Sequence, residues 1–285
     1  MKSSIVSKFT LEGREFFVKR DDLFHPYLAG NKYRKLHTLL QIPKQNFNKI
    51  ISYGGTQSNA MLAIAQMCKQ NEWEFIYYTK PISKMMKEQK IGNFFIALKL
   101  GMKHVEIEHE LYREFISSLS LNEEKGVKLV HQGGADQSAR EGLEVLAKEI
   151  RDKKSLGFSA VATPSGTGTT ALFLALNLPE YTVYTTPCVG DVNYLREQML
   201  SLHEIPSNLV ILESKKKYHF AKPYKEFIEL YDKTKTAGIE FDLLYAPLMW
   251  QTLLKETNDK VLYIHSGGVS GNESMLERYK QKKLR

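Results

Sequence analysis

Apolar residues in this chain fall into short runs that alternate with longer stretches of helical period. "KIISYGG" leads into "SNAMLAIAQMCKQN", "KLVHQGG" into "SAREGLEVLAKEIRD", and "SAVATPSG" into "TGTTALFLALN". "WEFIYYT" is likewise followed by a helical pattern, and "YTVYTTP", "NLVILE" and "VLYIHSGG" continue the series. Strand–helix–strand order predicts parallel sheets flanked by helices, because a parallel connection must cross back over a face of the sheet. The expected class is α/β with two lobes and a cleft between them. No repeat, low-complexity segment or Pro/Gly/Ser linker separates the lobes, so the chain is expected to pass from one to the other. Residues 1–45 and 139–285 are assigned to a larger lobe, and 46–138 to a smaller inserted one.

The glycines refine that picture. "YGGTQSN", "HQGGADQS", "PSGTGTT" and "HSGGVSGN" each follow an apolar strand. In open parallel sheets, ligands bind beyond the carboxyl ends of the strands. Any one such loop is explained by a tight strand-to-helix turn. Four of them, with Ser, Thr or Asn beside the glycines, indicate a ligand crevice.

Composition narrows the classes. The chain has 285 residues, 42% hydrophobic and 25% charged, a globular mixture. No run approaches the length of a membrane span, and "MKSSIVSKFT" lacks the apolar centre of a secretory signal, so no membrane partner and a cytoplasmic location are expected. Cys68 and Cys188 are the only cysteines and no metal-ligand spacing occurs, which predicts reduced thiols and no metal. The net charge of +8 raises the possibility of nucleic acid. Its basic residues are scattered among acids, however, and the denser "SKKKYH" and "ERYKQKKLR" carry no interleaved aromatic platform. No nucleic-acid partner is expected.

Two motifs carry chemistry. "PSGTGTT" places Gly, Ser and Thr at a helix start, where inward-pointing amides and hydroxyls can cradle a phosphate. It lacks the lysine of the triphosphate-binding loop. Gly166, Gly168 and Ala171 match G-x-G-x-x-A, but the following strand offers Tyr and Thr where an acid should meet a dinucleotide's ribose. One small phosphorylated cofactor fits better. Pyridoxal phosphate also needs a lysine amine, and "AGNKYRKL" supplies Lys32 and Lys35. Taken alone, that basic cluster reads as a solvated helix face.

In this order, "VKRDDL", "AGNKYRKL", "YGGTQSNA", "HQGGA", "PSGTGTT" and "HSGG" resemble the family of 1-aminocyclopropane-1-carboxylate deaminase and D-cysteine desulfhydrase. These are pyridoxal-phosphate enzymes of the tryptophan-synthase-β fold, fold type II. The resemblance covers nearly the whole chain and implies a homodimer acting on a small amino acid. It matches Lys32 to the Schiff-base lysine and Lys35 to a lysine that helps hold the cofactor phosphate. Ser58 matches a serine that contacts substrate and relays a proton, and it also suits a helix N-cap. Asn59 matches the asparagine bonded to the ring hydroxyl, while Ser165, Gly166, Thr167, Gly168 and Thr169 match the phosphate loop. Tyr224 and Tyr245 match two active-site tyrosines, which act as acid or base once their surroundings tune them.

Several positions depart from the family. Ala246 follows the second tyrosine where the deaminases carry Glu and the desulfhydrases Thr. "YAPLMW" stands where a Gly-Lys pair is expected, and Ala60 stands where relatives commonly place His. Ser266 then becomes the candidate hydroxyl partner of the cofactor's ring nitrogen. Asp21 and Asp22, an adjacent pair on an expected strand, point to opposite faces and read as structural. The expected activity is a D-cysteine-like β-elimination giving a 2-oxo acid and ammonia. Cyclopropane ring opening, a cofactor-binding relic and a nicotinamide-dependent oxidoreductase are the alternatives.

Overall fold

The computed structural model describes residues 3–88, 90–119, 125–134 and 137–285. Ala135 and Asp136 of the "HQGGADQS" loop lie outside the described residues. The chain opens with an antiparallel hairpin of β1 (Val6–Leu11) and β2 (Arg14–Lys19). Its two-residue turn puts Glu12 and Gly13 at φ 50° and 77°, the left-handed pair that matches strand twist. The remaining strands are β3 (Lys49–Tyr53), β4 (Glu74–Thr79), β5 (Met102–Glu106), β6 (Val127–Val130), β7 (Ala160–Ala162), β8 (Thr182–Thr185), β9 (Leu209–Ile211) and β10 (Val261–Ile264).

They form two sheets. One runs β5-β4-β3-β6, all parallel; the other runs β1-β2-β10-β7-β8-β9, parallel except for the hairpin at its edge. Helices cover the sheets because the strands are apolar on both faces. Phe17, Val161, Val183, Leu262 and Ile264 face one layer, and Phe16, Val18, Ala160, Ala162 and Tyr263 the other. Alternate residues of a strand point to opposite sides, so two separate cores grow from one sheet.

The strands of the smaller sheet all lie between Lys49 and Val130, but its core reaches further back. Leu28, Leu36 and Leu39 pack with Ile50, Ile64, Phe75 and Phe94. Residues 28–39 thus join the two lobes, with apolar side chains given to the smaller one.

The opposite side of that segment is tied to the larger lobe by buried charge. Arg34, on the Gly30–Lys35 helix, binds Asp21 through Nε at 2.8 Å and Nη2 at 2.9 Å. It binds Glu149 through Nη1 at 2.7 Å and Nη2 at 2.8 Å. Lys19 reaches the same Glu149 at 2.6 Å, and Ser4 donates to Asp21 at 2.6 Å. Two cations and two anions cancel, which is the condition for burying them. Asp21 and Asp22 belong to a one-turn 3₁₀ segment, Asp21–Leu23, and not to a strand as the sequence suggested. The strand ends at Lys19, and the turn lets Asp21 face Arg34 while Asp22 pairs with Arg20 at 2.7 Å.

Among the described residues, no helix is long and apolar enough to cross a membrane. Nor do three or more His, Cys, Asp or Glu side chains there gather as a metal site.

Candidate active site

The carboxyl ends of both sheets open into one cavity of about 580 Å³ between the lobes. Lys32, Lys35, Ser58, Asn59, Tyr245, Ser266 and the Ser165–Thr169 loop all line it. Tyr224 is not among the lining residues. Its hydroxyl accepts the His219 N–H at 3.0 Å and its ring packs on Tyr218 and Phe227, in a neighbouring aromatic cluster.

Lys32 and Lys35 leave the helix three residues apart, on the side away from Arg34. Both amines donate to one acceptor, the Gly133 carbonyl, at 3.4 and 3.1 Å. No carboxylate lies within ion-pair distance of either among the described residues. Burial therefore pulls the Lys32 amine down to about 8, partly opposed by the charge of Asp242. Lys35 is held well below its ordinary value by burial and by Lys32 itself. The cavity wall thus carries two amines whose charge the protein does not balance.

In the same cavity, the phosphate-type loop runs into the Thr169–Asn177 helix, whose N-terminal amides receive no side-chain cap. Gly168 is left-handed at φ 76°, and a Cβ there would come within 2.6 Å of Met199. The loop backbone can take this course only as glycine. Thr167 and Thr169 share a hydrogen bond of 3.0 Å, and Ser165 one of 2.6 Å with Thr185. The Thr170 hydroxyl is buried in the same wall without a partner. Unbalanced lysines, uncapped amides and an orphan hydroxyl around one space suit a small phosphorylated aldehyde cofactor.

On the smaller lobe, Ser58 caps the Asn59–Asn71 helix by accepting the Met61 N–H at 3.1 Å. Its neighbour Asn59 is held by Asn93 at 2.7 Å. The fit beside Asn59 is close enough that a Cβ on Gly268 would come within 2.4 Å of its amide. Ser266 lines the cavity, and its hydroxyl forms no hydrogen bond among the described residues. Its backbone carbonyl accepts the Asn31 N–H at 3.3 Å. His265 steadies this turn from behind. Its Nε2 donates to the Glu240 carbonyl at 2.9 Å, which leaves Nδ1 to accept the Gly267 N–H at 3.1 Å. Burial lowers the His265 pKa, in keeping with a neutral ring.

Tyr245 stands against the phosphate loop. A Cβ on Gly166 would lie 3.5 Å from its ring, and Phe220 packs on it at 5.2 Å between centroids. Burial pushes the phenol well above its usual range, so it stays protonated. Asp242, buried three residues earlier, is raised to about 6 by burial, against the pull of backbone N–H groups. Ala246 does not line the cavity; it packs in the larger lobe's core with Phe241 and Trp250.

Sequence reasoning passed over the Tyr53–His131 pair, bonded at 3.2 Å on the smaller lobe's wall. A signal for it exists. Tyr53 directly precedes Gly54 and His131 stands two residues before Gly133, and β3 and β6 pair in parallel with Ser52 beside Val130, so the next residues meet. Gln198, Tyr194 and Phe220, also in the wall, have no comparable signal.

The architecture is that of the fold type II pyridoxal-phosphate enzymes, the class also found in solved threonine deaminase and diaminopropionate ammonia lyase structures. A solved homologue of 1-aminocyclopropane-1-carboxylate deaminase superposes with a TM-score of 0.75 at 21% identity, covering 97% of this chain and 94% of the other. No protein-family model matches the chain. A putative 1-aminocyclopropane-1-carboxylate deaminase of Thermotoga maritima is 27% identical over 91% of this chain and 90% of its own. The bifunctional mitochondrial D-cysteine desulfhydrase/1-aminocyclopropane-1-carboxylate deaminase of Arabidopsis thaliana is 24% identical, over 91% and 73%. Over most of its length the chain is similar to proteins of this deaminase and desulfhydrase family.

Proposed function

We propose that the chain binds pyridoxal 5'-phosphate through Lys32 and eliminates a β-substituent from a small neutral amino acid of the D-cysteine type, releasing a 2-oxo acid and ammonia. The carrying observation is the pair of buried amines, Lys32 and Lys35, that have no carboxylate partner among the described residues and share a cavity with an uncapped glycine–threonine helix start. Lys35, Thr170 and the Ser165–Thr169 amides would hold the phosphate, Asn59 the ring hydroxyl and Ser266 the ring nitrogen. When bound, the cofactor supplies an electron sink for the substrate's α-carbon.

The protein's own groups do the rest. Lys32, poised near 8, carries or releases a proton at Nζ close to neutral pH. Ser58 and the first amides of its helix face the cavity, where the positive end of the helix favours a substrate carboxylate. Tyr245 keeps its Oη proton and can give it to a departing sulfur. The choice of D-cysteine over the cyclopropane substrate rests on Ala246 and Ser266. A hydroxyl does not hold a proton on the ring nitrogen as a carboxylate does, and a weaker sink favours good leaving groups. The relatives' names support the cyclopropane reaction as the second reading. A homodimer resident in the cytoplasm completes the proposal.

Borohydride reduction of the cofactor-loaded protein followed by peptide mapping should fix the pyridoxyl group on Lys32. Side-by-side assays should then show pyruvate from D-cysteine or β-chloro-D-alanine and little 2-oxobutanoate from the cyclopropane. A label on another lysine ends the assignment of Lys32, and a higher kcat/KM for the cyclopropane ends the preference.

A further inference from the structure

The phenol of Tyr245 forms no hydrogen bond among the described residues, so no side chain fixes where its oxygen stands. Its ring lies beside Gly166 and Phe220 and packs with Cys188, Phe227 and Leu248, so the height of its oxygen in the cleft follows the position of its backbone. That height depends on the backbone at the start of the Ala246–Glu256 helix.

This start is unusual in its capping. Tyr245 occupies the N-cap position and its side chain makes no cap hydrogen bond, while Pro247 in the first turn has no N–H. Asp242 holds the chain immediately ahead of the helix. Its Oδ1 accepts the Leu244 N–H at 3.0 Å and the Tyr245 N–H at 2.7 Å. Asn272 holds the preceding residues, accepting from Leu243 N–H at 2.8 Å and donating to the Phe241 carbonyl at 2.9 Å. Asp242 is itself 2% exposed and is not in the cavity wall. Burying a carboxylate there is costly, and two short N–H bonds at a helix start are what offset it.

We propose that Asp242 is the positioning residue for Tyr245: by accepting these two N–H groups it fixes where the helix begins, and so where the phenol stands in the cleft. The catalytic part of this rests on the reading of Tyr245 as proton donor. The departure from the family at "YAPLMW" gains a meaning here, since proline and Asp242 together pin the first turn that carries the tyrosine.

Amide hydrogen exchange in the cofactor-free protein tests the positioning without reference to catalysis. Asp242→Ala should exchange at Leu244 and Tyr245 about ten-fold faster than wild type, whereas Asp242→Asn, whose amide oxygen still accepts, should stay close to wild type. Unchanged exchange in Asp242→Ala overturns the proposal. Should that variant not fold, Asp242→Glu, which displaces the acceptor by one methylene, is read in the same way.

Kinetics test the consequence. Asp242→Ala should lower kcat about a hundred-fold with KM nearly unchanged, because displacing a reacting group by about 1 Å is that costly. Combined with Tyr245→Phe and read above the Lys32 midpoint, where that amine is neutral with or without Asp242, it should bring no further loss. Losses that multiply would mean that Asp242 does not act through Tyr245. If the wild type releases no 2-oxo acid from any substrate, the functional reading fails, while the exchange measurement still decides the positioning.

Discussion

The Gly30–Lys35 helix carries buried positive charge in two directions, and the fold treats the two oppositely. Arg34 meets Asp21 and Glu149 in four hydrogen bonds of 2.7 to 2.9 Å and is fully enclosed. Lys32 and Lys35 meet one carbonyl between them. Both arrangements take cations out of water, which is unfavourable unless something restores what water gave. Arg34 is balanced by the chain itself, so it serves the fold. The lysines are not, and the missing balance lies in the cavity they line. A charge left uncompensated by the protein is where a ligand is expected, and this difference says more about function than the basic cluster as a whole.

The comparison breaks most plainly at Lys32. Lys32→Ala should fold, keep its ion network and lose turnover by several orders of magnitude, since a nucleophilic amine has no substitute in the wall. Turnover close to wild type would place the chemistry elsewhere.

At Arg34 the expected loss is in stability and not in chemistry alone. Arg34→Ala leaves Asp21 and Glu149 buried with only Lys19 between them, and should cost about 3 to 5 kcal/mol in denaturant unfolding. Arg34→Lys should recover only part, because an ammonium cannot reproduce the two-sided fork. A loss below about 1 kcal/mol would show that the network relaxes or hydrates, and the contrast with the lysines would vanish.

Lys35 should behave in the opposite way. Lys35→Ala removes an amine whose protonation burial opposes, so the cofactor-free protein should unfold at the same temperature as wild type or higher. Affinity for pyridoxal phosphate, and for inorganic phosphate as a probe, should fall by about 1.5 to 3 kcal/mol, from ten-fold to beyond a hundred-fold. Because burial lowers the Lys35 pKa and an anion raises it, phosphate binding should take up a proton and weaken as pH rises. Calorimetry in buffers of different ionisation enthalpy measures this uptake, and its absence would detach Lys35 from the phosphate.

Much of this was legible in the sequence because it is local. Alternating runs mark the strands, glycines mark their carboxyl ends, and Ser58 heads its helix as an N-cap residue should. The rest depends on contacts that sequence order conceals. Arg34 looked like one more member of a basic cluster, since Glu149 lies 115 residues away. Asp21 and Asp22 looked like strand residues because nothing in "VKRDDL" marks the turn that separates their faces. Tyr224 and Tyr245 were matched alike, yet only Tyr245 lines the cavity, because Tyr224 spends its hydroxyl on a loop amide. Asp242, three residues before Tyr245, is an unremarkable acid until its burial is known.

The smallest effect is also the most direct reading of the contrast, the titration of Lys32 in the cofactor-free protein. Burial disfavours the ammonium and Asp242 favours it, leaving the amine near 8 against an ordinary value of 10.5. The folded state therefore prefers the neutral amine. As pH falls from the unfolded value through about 8, the protein must accept a charge that the unfolded chain already carries, and this group's contribution to stability is lost over that window. Labelling with a limiting amine reagent, followed site by site, should show Lys32 reacting with an apparent pKa near 8. Asp242→Asn should shift the Lys32 midpoint further down, because the attraction that partly restores the ammonium is gone. A midpoint at the ordinary lysine value would mean that water or a carboxylate reaches Lys32 after all, and that the two directions of the helix differ in geometry but not in charge balance.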